Sequence, residues 1–326
     1  MSLPEVTLPG GARTTRLGFG CGYLTPEDAR LLDVAYEAGI RHFDVAPVYG
    51  RGLAEPTLGR FLHRKTDVTV ATKFGLQPPP GGAGWIGPAR RILKPVIGRL
   101  RRLKAFDSGL SAAVGALYRK AEYTAEAAEA SLLRSLRHLK RDRVDILLMH
   151  EARADDLRDE GLLAFLRTAA AKGRIGGFGV GGDAGHLPAI ELEHPAYCKV
   201  RQYDWTALST VRNPLGSFDV LFRVHSGEAR QIKTALGADG ALAKLWSREI
   251  GRDLIEPGVF EQLMLKAAME ARPAALVLVF SSKSENIWAN ARAAADPSLA
   301  VPALRLIDLA RAWLSERARA TKPTTP

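Results

Sequence analysis

Only two cysteines, Cys21 and Cys198, occur in 326 residues. That is too few for a disulfide framework, and they lack the paired spacing of a metal site, so a reducing compartment is expected. Nowhere do 18 apolar residues run together, and the stretch from Met1 to Gly11 has neither a basic nor an apolar segment of the secretory kind. A cytoplasmic, soluble protein without a transmembrane segment is therefore expected. No glycine-rich GxGxxG turn follows a strand-like run near the start, which weighs against a dinucleotide site built on an open sheet. Aromatic residues make up only 7%. Apolar residues at 46% and charged residues at 25% allow a sizeable folded core.

What the chain has is a repeated order of elements. Eight short apolar runs bounded by glycine or polar residues read as buried strands: Arg16 to Gly22, His42 to Pro47, Val68 to Phe74, Val144 to Glu151, Ile175 to Gly182, Lys199 to Trp205, Asp219 to Ser226 and Ala275 to Ser282. Helix-period segments lie between most of them. Thr25-Pro26-Glu27-Asp28 offers an N-cap, a first-turn proline and acids for the positive helix end. Thr124 offers a cap for Ala125 to Leu139, with Ala128, Leu132, Leu133, Leu136 and Leu139 on one face. Arg158 to Ala171, Phe260 to Ala271 and Ala303 to Ala318 show the same period. Eight alternations imply a parallel α/β sheet closed into a (β/α)8 TIM barrel occupying residues 1–326 as one domain. The runs flanking Pro9-Gly10-Gly11 suggest an N-terminal hairpin across the barrel bottom.

Such a barrel takes about 250 residues, so roughly 76 remain for insertions. The clearest, residues 76–123, follows the third strand; Gly227 to Gly258 reads as a second, irregular one. Most of the net charge of +11 is local: nine Lys and Arg face the single acid Asp107 between Trp85 and Lys120. From Ala89 to Phe106 apolar residues recur at helical spacing with arginines between them, interrupted by Pro95. This basic amphipathic segment reads as a lid on the barrel rim. Its alternatives are an arm for an acidic partner, an anionic membrane surface, or a phosphorylated or carboxylated substrate. Its aromatics are too sparse for stacking on nucleic acid.

Four polar residues stand where strand-like runs stop: Asp44, Tyr49 five residues on, Lys73 and His150. In a barrel, C-terminal strand ends converge on one face and supply the catalytic groups. A phenol alone is a poor acid at neutral pH. A neighbouring ammonium, Lys73, is expected to lower the Tyr49 pKa, with Asp44 keeping that lysine charged and His150 orienting a substrate oxygen. Together they form a proton donor for a carbonyl becoming an alkoxide, or the matching base.

The residues around this quartet resemble the aldo-keto reductase family. His42-Phe-Asp-Val-Ala-Pro-Val-Tyr-Gly with Glu55 and Leu58-Gly59 is similar to its second-strand signature, Ala71-Thr-Lys-Phe-Gly to its lysine strand, and Asp145-Ile-Leu-Leu-Met-His to its histidine strand. Gly50-Arg-Gly-Leu-Ala-Glu resembles the D-threo-aldose and fucose dehydrogenase branch. The resemblance implies Tyr49 as general acid/base, NADPH or NADH as cofactor, and a small carbonyl or alcohol substrate, sugar-like in that branch. It also implies Gln202, His225, Ser281, Ser282, Lys283, Asn286 and Asn290 as cofactor contacts, with His225 where an aromatic stacks on nicotinamide. Asn286 stands where an arginine grips the 2′-phosphate, leaving Lys283 to neutralise it. Gly181 and Gly182 replace a Ser-Asn pair that holds the carboxamide in the family. Those two glycines favour an alternative: a weak or inactive reductase-like barrel that binds or regulates through its basic insertion.

Overall fold

The computed structural model describes residues 2–77, 119–120, 122–209 and 211–320. The expected basic segment at 89–106 lies outside these residues. Two short strands, β1 (Glu5–Thr7) and β2 (Arg13–Thr15), pair antiparallel. The chain then enters the barrel: β3 (Leu17–Gly20), β4 (His42–Asp44) and β5 (Thr69–Phe74). β6 (Leu76–Gln77) and β7 (Arg119–Lys120) pair antiparallel at the two ends of the insertion. β8 (Val144–His150), β9 (Ile175–Gly182), β10 (Val200–Asp204), β11 (Phe218–Phe222) and β12 (Leu276–Val279) complete a closed parallel barrel with β3, β4 and β5. Each of the eight expected runs supplies one strand. Most ladders stop earlier than the apolar runs do, because the chain leaves the sheet to form the mouth loops.

Alternation along the strands divides the apolar core in two. Ala71, Ile146, Leu148, Val200, Val220, Leu276 and Leu278 fill the lumen, while the larger cluster lies between barrel and helices. Leu8, carried by the hairpin, joins the lumen cluster from below. Gly10, at φ 93°, lies against Gly176, where a side-chain carbon would come within 2.5 Å of the Gly176 carbonyl oxygen. The hairpin therefore plugs the bottom of the barrel. Polar pins fix the strands: buried Arg201 on β10 donates to Asp219 on β11 through Nε at 2.9 Å and Nη2 at 2.6 Å. Thr72 donates to buried Glu55 at 2.7 Å, tying β5 to the helix Ala54–Leu62.

Thr124 caps its helix, accepting from the Ala127 N–H at 3.2 Å. Thr25 does not cap; its hydroxyl donates to Asp28 at 2.8 Å, and the segment begins as a tight 3-10 turn before the helix Arg30–Glu37. In Ala125–Leu139 the buried face is Ala128, Ser131, Leu132, Ser135 and Leu139, whereas Leu133 is 39% exposed. Small residues are used where helices meet closely: a side-chain carbon at Gly59 would lie 2.0 Å from the His138 carbonyl oxygen. The stretch expected to be irregular after β11 instead holds two helices, Glu228–Ala238 and Gly240–Ile250. Asp239 separates them, accepting from the Ala241 and Leu242 N–H groups at 3.0 and 2.9 Å. The last helix, Ala300–Ala320, brackets the expected 303–318. Among the described residues no helix is long and apolar enough to cross a membrane.

Candidate active site

Period-two alternation sets the candidate side chains. Ala71 points into the lumen on β5, so Lys73 does too; Ile146 and Leu148 set the same phase for His150, and Val200 for Gln202. All three stand at the C-terminal end of the barrel with Asp44, which ends β4. Lys73 Nζ donates to Asp44 Oδ1 at 2.5 Å and to the Val45 carbonyl at 3.3 Å. The other Asp44 oxygen accepts from Gln202 Nε2 at 2.7 Å. One carboxylate thus receives two donors from two different strands, all three residues being buried.

Tyr49 arrives from the loop after β4. Gly50, Arg51 and Gly52 all take positive φ (56°, 60° and 85°), and a side-chain carbon on Gly50 would lie 2.0 Å from the Leu24 carbonyl oxygen. That tight turn brings the half-buried Tyr49 ring to 5.0 Å from Lys73 Nζ and to 5.6 Å from the His150 ring, nearly perpendicular at 85°. The four residues therefore meet.

Their electrostatics differ from the expectation at one point. Burial raises the Tyr49 pKa; Lys73 pulls it down, but Asp44 cancels much of that charge and the net shift is upward, not downward. Burial alone would lower Lys73, yet Asp44 and Tyr49 more than offset it, so the lysine remains an ammonium. Burial and the Lys73 charge push His150 down to about 3. The site at neutral pH is a neutral phenol, an ammonium–carboxylate pair and a neutral imidazole. Cys21 beneath it is fully buried, and burial raises its thiol, so it stays an uncharged neighbour.

Two residues here carry no site signal in the sequence. Tyr123 donates to the His150 carbonyl at 2.5 Å and packs on Gly75, where a side-chain carbon would lie 2.2 Å from its ring. Phe222 packs against the lumen cluster at the end of β11. His225, expected to stack on nicotinamide, turns to the helix Val259–Ala271, with Nε2 2.9 Å from the Glu261 carbonyl. The reason is local: Phe222 shares the lumen-facing phase of Val220, whereas His225 is out of that phase and beyond the ladder, which ends at Phe222 before Arg223 at φ 57°.

The loop after β12 leads into the helix Ser284–Ala295. Ser281 is buried and its Oγ accepts the Lys283 N–H at 3.1 Å; Ser282, Lys283 and Asn286 are exposed, and Asn290 is buried. No side chain caps this helix, so its first-turn N–H groups present a favourable end to an anion.

The family model described as the aldo/keto reductase family matches residues 14–213, more than half the chain. The chain belongs to the aldo/keto reductase family. A D-threo-aldose 1-dehydrogenase from Pseudomonas sp is 33% identical over 156 residues, covering 46% of this chain and 42% of that protein. An uncharacterized oxidoreductase, YqkF, from Bacillus subtilis is 34% identical over 96 residues, covering 28% of this chain and 31% of that protein. The chain thus matches less than half the length of either curated relative. An aldo-keto reductase from Bacillus halodurans, solved in its holo form, superposes with a TM-score of 0.65 at 17% identity, covering 94% of this chain and 96% of the other. A glycerol dehydrogenase from Gluconobacter oxydans superposes at 0.64 with 15% identity, covering 99% and 98%. At such identities these structures establish the shared aldo/keto reductase barrel.

Proposed function

We propose that the protein is an NAD(P)-dependent oxidoreductase that interconverts a carbonyl and an alcohol on a small molecule. One observation carries this: Asp44 is bonded at once to Lys73 and Gln202 beneath the rings of Tyr49 and His150. Neutral Tyr49 is the proton donor to a carbonyl oxygen as it becomes an alkoxide. Lys73 makes the resulting phenolate tolerable, and Asp44 keeps the lysine charged without itself leaving the barrel wall. His150, uncharged, donates a hydrogen bond that orients the carbonyl without offering a competing acid. In the alcohol-oxidising direction the same groups run in reverse, with the raised Tyr49 pKa favouring alkaline pH.

The residues present fit a nicotinamide dinucleotide. Phe222 offers an aromatic side chain at the lumen top, Gln202 an amide, and the uncapped helix start with Ser281, Ser282 and Lys283 a place for phosphate, with Asn286 and Asn290 along the same helix. When bound, that cofactor supplies or accepts the hydride. Lys283 supports NADPH over NADH as the preferred form, because it can neutralise a 2′-phosphate. The relative named as an aldose dehydrogenase supports a sugar-like substrate.

Fluorescence titration with NADPH and NADH tests the reading. Saturable binding of at least one is expected, and absence of both would refute it. Tyr49→Phe should abolish turnover and leave cofactor affinity within about threefold, since the hydroxyl serves the proton step rather than binding.

A further inference from the structure

The peptide that joins His150 to Glu151 is held from both sides. Its carbonyl accepts from the Tyr123 hydroxyl at 2.5 Å, and its N–H, that of Glu151, donates to the Gly181 carbonyl at 2.7 Å. A trans peptide points these two groups in opposite directions, so one bond anchors it to β9 and the other to the residue before the capped helix Ala125–Leu139. The pairing of β5 with β8 stops at Phe74 and Met149, so the His150 carbonyl lies one residue past it and takes a side-chain donor where the ladder has ended. A shift of that peptide would carry the His150 ring with it, away from its edge-to-face contact with Tyr49.

Tyr123 is itself built in. It is 4% exposed, and its ring lies on Gly75, where a side-chain carbon would come within 2.2 Å of it and the backbone has φ 104°. The ring also meets that of Phe74 edge to face, with centroids 6.0 Å apart. Phe74 and Gly75 directly follow Lys73, so Tyr123 rests on the chain that carries the ammonium. Behind it Thr124 caps the helix and Asp159 Oδ2 accepts the Ala125 N–H at 3.0 Å, which fixes the backbone on that side. Burial, with the charges of Asp156 and Glu151, raises the phenol, so the hydroxyl keeps its proton and stays a donor.

We propose that Tyr123 is a positioning residue for the reaction: its hydroxyl fixes the His150 backbone, and through it the imidazole that orients the substrate oxygen opposite Tyr49. The kinetic part of this rests on the oxidoreductase reading above. Phenylalanine would fill the same volume on Gly75 and leave the carbonyl without its donor, so the role lies in one oxygen.

The test uses the full-length protein with its seven histidines ring-labelled with carbon-13. The His150 ring resonance is identified by its loss in His150→Gln, and the part of its shift that Tyr49 causes by comparison with Tyr49→Leu. Tyr123→Phe should move that resonance toward its position in Tyr49→Leu. Turnover is followed as NADPH consumption with 4-nitrobenzaldehyde as the probe. Tyr123→Phe should lower kcat/KM about tenfold, short of the roughly hundredfold that a misplacement of about 1 Å can cost, and leave the Kd for NADPH unchanged. In a His150→Gln background the same substitution should cost nothing further, whereas a general loosening of the fold would lower both backgrounds alike. An unmoved His150 resonance overturns the inference, and so does an equal loss in the two backgrounds. Absence of saturable binding of NADPH and NADH overturns the dinucleotide reading, while the resonance, which needs no ligand, still decides whether Tyr123 fixes His150.

Discussion

Replacing Asp44 by Asn would test whether one carboxylate holds the site together. Lys73 is 1% exposed, and besides Asp44 its Nζ has the Val45 carbonyl at 3.3 Å and the Tyr49 hydroxyl. Both are neutral. Removing one partner of a buried ion pair costs about 3–5 kcal/mol. In Asp44→Asn the remaining amide oxygen can still accept from Lys73, and the Gln202 amide can turn so that its Oε1 accepts from the new amide nitrogen, so the loss is that of the ion pair. Against a typical stability of about 5–15 kcal/mol, the variant should fold but be clearly weakened.

The pH dependence gives the decisive contrast. In the wild type Lys73 is raised above its ordinary 10.5, so its contribution is complete below 10.5 and is lost only as pH climbs through the folded value. In Asp44→Asn burial goes unopposed and the folded value falls below 10.5. Between those two values the unfolded chain binds the extra proton, and the variant gains about 1.4 kcal/mol of stability for each pH unit climbed. Urea unfolding followed by tryptophan fluorescence at pH 7 and pH 9.5 should show the gap between the two proteins narrowing at the higher pH. A gap that stays constant or widens would refute the assignment of Lys73 as an ammonium held by Asp44.

Three further outcomes follow from the geometry. His150 is down to about 3 from 6.5, so the wild type should lose stability as pH falls below 6.5, and His150→Gln should escape that part of the loss; parallel curves down to pH 4 would contradict it. Phe222→Ala should weaken dinucleotide binding about fivefold, the worth of a ring contact of roughly 1 kcal/mol, whereas His225→Ala should not, and titration of both variants separates the two residues. Gly59→Ala should destabilise the fold by about 1–3 kcal/mol despite alanine's better helix propensity. Thermal unfolding would show the reverse if the helix Ala54–Leu62 could move away from His138.

What is legible in the chain is whatever repeats with the strand period. Asp44, Lys73 and His150 lie in contiguous apolar runs whose alternation alone points them inward, and a barrel of eight strands follows from counting those runs. The Gln202–Asp44 bond joins residues 158 positions apart, and no local pattern announces it. His225 comes from the resemblance alone; it stands out of phase with Val220 and Phe222 and beyond the end of the ladder, so the strand period does not bring it to the lumen. The upward shift of Tyr49 depends on burial, which pairwise charges cannot supply. The two helices after β11 do carry a helical pattern, Ala229, Ile232, Leu236 and then Ala243, Trp246, Ile250, but Gly227, Gly237, Gly240 and Gly251 punctuate it as loops would.

Left-handed backbone at residues with side chains is sparse and gathers mainly at the barrel mouth. Among the described residues four that are not glycine have positive φ: Arg51, Lys140, Glu151 and Arg223. Lys140 ends the helix Ala125–Leu139, where a left-handed residue has an ordinary structural role. The other three follow the C-terminal ends of β4, β8 and β11, around the quartet. At the opposite end the hairpin meets the same backbone demand with glycines, Gly10 at 93° and Gly11 at 87°. A left-handed residue with a side chain costs about 1–2 kcal/mol over glycine, and glycine was available in both places. Lys140, between its helix and the start of β8, bears the same cost at the bottom, so left-handed backbone with a side chain marks a helix end there and three turns at the mouth.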